Sequence, residues 1–211
     1  MTRDLRRVEV APERLAGWVE RFAARHGEIT TRPSEGGLQI SAPDGAYAAL
    51  APPWPYDGRS VEELVDAVQR PGTVGLLLVR RGGFAVGVAE GARLVASKVG
   101  TRYVQGKTKA GGWSQQRYAR RRDAQAHSAF GAAADAAAHV LLPRVDDVDG
   151  LVTGGDRAAV RSVLADPRLK PLADLPQGRF LAVPDPRKRV LEEAVRRARA
   201  VVVDVYDPDR D

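Results

Sequence analysis

A chain of 211 residues with 44% hydrophobic and 28% charged residues is long enough for one sizeable core, or for a main domain with a small appendage, and is expected to fold as a soluble globular protein. The absence of cysteine excludes disulfides, thiolate nucleophiles and cysteine-based zinc or iron–sulfur sites, and the widely separated His26, His127 and His139 have no HExxH-like spacing, so neither a metal nor a cofactor is expected. The formal charge of +6 points to a polyanion as partner; with no apolar run near the roughly 20 residues of a membrane span and no signal-like stretch in Met1 to Arg7, the expected location is the cytoplasm.

In chain order, Leu5 to Val10 alternates like a strand, and Pro12 opens a helical stretch with Leu15, Trp18, Val19 and Phe22 on one face. Leu38 to Ser41 and Tyr47 to Leu50 read as short strands, and Pro52-Pro53-Trp54-Pro55 as an extended connection. Ser60 followed by Glu63 has the form of a capping box for a helix that stops at Pro71-Gly72. Thr73 to Val79, Phe84 to Ala89 and Arg93 to Val99, separated by glycine-containing turns, form an antiparallel meander. Gly100 to Gly112 has no clear period and four glycines, whereas Trp113 to about His139 is alanine-rich and free of proline, as in one long helix. Gly150 to Thr153, Asp156 to Leu164, Arg179 to Val183, Arg187 to Arg199 and Ala200 to Tyr206 alternate strand and helix, which predicts a sheet with helices packed on it. The class is mixed α/β. The chain is read as a single domain over residues 1–211, with residues 1–70 as an N-terminal subdomain or extension and residues 100–113 as a mobile loop.

The charge is local. Arg93 to Arg122 holds nine Arg or Lys residues and no Asp or Glu, so the rest of the chain is net negative. Such a concentration is the electrostatic footprint expected for phosphate. Gly111-Gly112 makes a tip that RNA can approach without a Cβ in the way, and a helix starting near Ser114 directs unpaired N–H groups to the same place. Arg117, Arg120 and Arg121 fall at helical spacing with Arg122 beside them; Lys98, Arg102, Lys107 and Lys109 lie on the other side of the tip. Tyr103, Trp113 and Tyr118 interleave with these charges, with base stacking and core packing both open to them. Composition supports an RNA-binding module.

The order Gly112-Trp113-Ser114-Gln115 within this basic segment, followed by His127-Ser128-Ala129, resembles the Vms-type release-factor-like family of peptidyl-tRNA hydrolases. The wording Gly-Gly-Trp-Ser-Gln-Gln-Arg is similar to that of its actinobacterial branch. The resemblance implies an RNase H-like core similar to the middle domain of eukaryotic and archaeal class I release factors, with a mobile glycine-rich loop leading into a long helix. It also implies a role in freeing nascent chains from tRNA on stalled or split ribosomes, with the large ribosomal subunit and peptidyl-tRNA as partners. It places Gln115, with Gly111 and Gly112, at the family's catalytic loop, with Gln116 the competing assignment. Trp113 stands where a strict Gly-Gly-Gln would be continuous.

A glutamine amide cannot serve as a useful base, but its carbonyl can hold a water by accepting its proton, so positioning is its expected task. Two other readings stay open: a non-catalytic RNA- or ribosome-binding factor, and a nuclease using Asp146, Asp147, Asp149 and Asp156 to hold two metals.

Overall fold

The computed structural model describes residues 5–101 and 130–208, which divide into two compact units, Met1–Pro71 with Arg196–Asp211, and Gly72–Val195. The architecture is the mixed α/β class anticipated from the sequence, built on two sheets.

The first unit has five antiparallel strands in the order β1-β9-β4-β3-β2. These are β1 (Arg6–Val10), β2 (Thr30–Ser34), β3 (Gly37–Ser41), β4 (Tyr47–Ala51) and β9 (Val201–Tyr206). The apolar alternation of β4 and β9 sends Ala48, Leu50, Val201, Val203 and Val205 into a core with Leu15, Val19 and Phe22 of helix α1 (Leu15–His26) and Leu64 of α2 (Val61–Gln69). A short 3-10 turn, Pro12–Arg14, precedes α1. The capping box is present: Ser60 Oγ accepts from the Glu63 N–H at 3.1 Å and the Glu63 carboxylate accepts from the Ser60 N–H at 3.3 Å. β2 was not anticipated, because its residues are polar and include Pro33. It survives as the edge strand of the sheet, paired with β3 alone, where proline is tolerated.

The second unit has four strands in the order β7-β6-β5-β8. β5 (Thr73–Arg80), β6 (Gly83–Glu90) and β7 (Arg93–Thr101) form the expected meander, and β8 (Gly150–Gly155) runs parallel to β5. Central β5 is almost continuously apolar, and Leu76, Leu77 and Leu78 are fully buried, as strands covered on both faces require. A helix over residues 130–140, α3, supplies Ala133, Ala134, Ala136, Ala137 and Val140 to the core. Alanine is favoured both by helix propensity and by close packing on a sheet. α4 (Arg157–Leu164), α5 (Lys170–Ala173) and the first residues of α6 (Lys188–Arg199) complete the unit.

Two expectations are corrected. Gly100 and Thr101, read as the head of a loop, are strand residues paired with Phe84 and Gly83. Arg179 to Val183 is not a strand; it meets β8 through the single bridge Gly154–Leu181, held by Leu181 N–H to Thr153 O at 2.8 Å and Gly155 N–H to Leu181 O at 3.0 Å. The C-terminal alternation is also divided, since β8 belongs to one sheet and β9 to the other.

Candidate functional site

The meander brings one end of the second sheet together. Thr101, the last residue of β7, is registered with Gly83, and Gly155, the last residue of β8, with Val79. The turn between β5 and β6 therefore lies level with the point where the chain leaves β7 toward residue 102. Exposed Arg80 and Arg81 occupy this end. Arg80 donates to Val183 O at 2.8 Å and lies 3.5 Å from Asp185. Arg157, the first residue of α4, stacks its guanidinium 4.0 Å over the Phe180 ring.

The N-terminus of α4 is occupied by its own cap. Asp156 accepts from Ala158 N–H at 2.8 Å and Ala159 N–H at 3.0 Å. These bonds, that to Ala159 foremost, hold its carboxyl below the usual carboxylate range against the cost of desolvation, with Arg81 and Arg80 assisting. Asp149 is engaged at the opposite end of β8, where it accepts from Thr73 N–H at 2.7 Å. Six strand residues separate the two carboxylates, roughly 20 Å of extended chain. Asp146, Asp147, Asp149 and Asp156 therefore do not converge, and the described residues contain no cluster able to hold a metal ion. The two-metal nuclease arrangement is corrected on this geometry.

Of the predicted RNA-binding residues, Lys98 is described: it is exposed on β7. It lines a groove of about 350 Å³ with Ala96, Ser97, His139, Val140 and Arg144. Arg144 is 3.2 Å from Glu90, and Ser97 Oγ, on the other face of β7 from Lys98, accepts from Lys188 Nζ of α6 at 2.9 Å. The structure thus gathers His139 and Arg144 beside Lys98, which no local pattern announced. Gly111, Gly112, Gln115, Gln116, Arg102, Lys107, Lys109, Arg117, Arg120, Arg121, Arg122 and His127 lie outside the described residues. Among the described residues no helix is long and apolar enough to cross a membrane.

The chain is 28% identical over 160 residues to proteins named peptide chain release factor subunit 1 from Thermococcus sibiricus and Pyrococcus abyssi, covering 67% of this chain. It spans 38% of the length of these curated relatives. A solved archaeal translation termination factor, aRF1, aligns at a TM-score of 0.40 with 19% identity, over 89% of this chain and 53% of that one. The family model described as Actinobacteria/chloroflexi VLRF1 release factor matches residues 72–204, from the start of the second unit into β9. That match covers more than half of the sequence, including the basic segment, and the chain belongs to this release factor family.

Proposed function

We propose that this protein is a peptidyl-tRNA hydrolase that acts on the large ribosomal subunit in the cytoplasm, freeing nascent chains from tRNA on stalled or split ribosomes. The observation that carries the reading is the family match over residues 72–204, which contains a segment with nine cations, no carboxylate and the sequence Gly111-Gly112-Trp113-Ser114-Gln115. The cations anchor on rRNA or tRNA phosphates, with Lys98 extending that surface onto β7. Gln115 positions the hydrolytic water through its carbonyl, and a backbone N–H stabilises the oxyanion that develops on the ester. Ester hydrolysis by positioning requires no nucleophilic side chain, in keeping with a cysteine-free chain.

The test is peptide release from purified large subunits carrying peptidyl-tRNA, comparing the native chain with Gln115→Ala. Release by the native chain and its loss in the variant, with subunit binding kept, is the expected result. Equal release by both overturns the catalytic assignment, and absence of release by the native chain leaves the non-catalytic RNA-binding reading in its place.

A further inference from the structure

The first unit carries a second groove, of about 600 Å³, lined by residues of β1 and of α1. Trp18, Phe22 and His26 recur every fourth residue of α1 and so stand one above the next on a single helix face. Their rings are in contact: Trp18 and Phe22 have centroids 5.7 Å apart at 18°, and Phe22 and His26 are 4.7 Å apart. Phe22 and His26 are buried, and His26 Nδ1 lies 2.8 Å from an Asp44 oxygen, which fixes the foot of the ladder. Trp18, at its head, is half-buried and borders the groove.

Arginines line the same groove. Arg6 shares the sheet face of Val8 and Val10, the face turned to α1, but lies beyond the apolar part of β1 and is exposed. Arg21 and Arg25 project from α1 into the same groove. Arg25 is tethered to Asp207 at 3.1 Å. Arg6 and Arg21 have no carboxylate partner among the described residues. Arg21 lies back along the helix over Gly17, where a Cβ would stand 3.3 Å from its Nη1. Arg7 also borders the groove, but its side chain alternates to the other side of β1 and is occupied by a two-bond fork to Asp204, both at 2.7 Å. The unit as a whole has more acidic than basic residues, so this is a local concentration.

We propose that this groove is a second RNA-binding site, in which a base of a single-stranded segment stacks on Trp18 and the adjoining phosphates are held by Arg6, Arg21 and Arg25. A rigid aromatic platform flanked by guanidinium groups matches the alternation of planar base and phosphate. An acidic protein tail would satisfy the arginines but leave the indole with no planar partner. The site lies outside residues 72–204 of the family match, and it depends neither on Gln115 nor on peptide release.

The experiment is an anisotropy titration of a short fluorescein-labelled oligouridine with the full chain across a range of salt concentrations. Arg6→Ser combined with Arg21→Ser is compared with its parent in the native background and in one carrying Arg120→Glu and Arg121→Glu. Both substituted arginines are exposed, so the melting temperature is a check on folding. The expected result in the Arg120→Glu, Arg121→Glu background is about tenfold weaker binding, with the slope of log K against log salt shallower by about 1.4, or about 0.7 for each phosphate no longer held, and in the native background a smaller loss in the same direction. Trp18→Ala is expected to weaken binding by at least about fivefold and Trp18→Phe to restore most of it. Unchanged affinity and salt slope in the arginine variant overturn the proposal. So does a loss of binding to a polyglutamate peptide with oligouridine binding intact, which would make the partner an acidic protein.

Discussion

Gly83 and Thr101 face each other across the β6–β7 pairing, so the strand that delivers the basic segment ends level with the turn that opens β6. A Cβ at residue 83 would collide with the Gly100 carbonyl oxygen. Two strands approach here more closely than any side chain allows. The point where the chain enters the segment 102–129 is therefore fixed by backbone packing.

Gly83→Ala is expected to destabilise the second unit by about 1–3 kcal/mol, the usual cost of forcing atoms into a filled space. Gly131→Ala is the opposite case: a Cβ there meets nothing within 4 Å and the residue lies in α3, so a gain of up to about 1 kcal/mol is expected from helix propensity. Urea midpoints of the two variants against the native chain check both signs; equal destabilisation by both would contradict this packing.

For the proposed chemistry, Gln115→Ala is expected to lower the release rate by about a hundredfold or more, the loss typical of removing a group that acts only in the transition state. Gln116→Ala should release at close to the native rate. The reverse ranking in single-turnover release would transfer the role to Gln116.

Arg120→Glu with Arg121→Glu should act on attachment. Affinity for the large subunit is expected to fall, and the salt dependence of binding to become shallower by roughly 0.7–0.9 for each phosphate that is released. At saturating protein the release step should persist. Binding that is weakened equally at every salt concentration would argue against attachment through phosphates.

Asp156→Ala removes the cap of α4 and is expected to cost about 1 kcal/mol at pH 7. Because the folded protein holds this carboxyl below its ordinary value, the cap's contribution is fully present above the unfolded carboxylate pKa, near 4. It is lost as pH falls through the lowered folded value. The melting-temperature difference between variant and native chain should therefore be constant from pH 7 down to about 5 and shrink in more acid solution.

Much of the fold could be read from local patterns, because its elements are specified by near neighbours in sequence. The Ser60–Glu63 box, the alternation and glycine turns of β5 to β7, and the apolar spacing of Leu15, Val19 and Phe22 all needed a window of a few residues. What stayed hidden depends on distant pairing. β2 is polar and holds Pro33, so only its partner β3 identifies it as a strand. The groove of Lys98, His139 and Arg144 exists because strand and helix packing bring together residues far apart in the chain. Trp18 and Phe22 could be read as a helical period, but the groove that Trp18 shares with Arg6 of β1 depends on packing between distant residues.

The place of β9 carries a consequence for biosynthesis. This strand, Val201–Tyr206, lies between β1 and β4 and pairs with both. The residues of the second unit are all synthesised before it emerges, whereas the first sheet must wait with β1 lacking its neighbour until Val201–Tyr206 has been made. During its own translation this protein therefore holds an incomplete, strand-accepting edge in its first unit, and the codons for β9 close it.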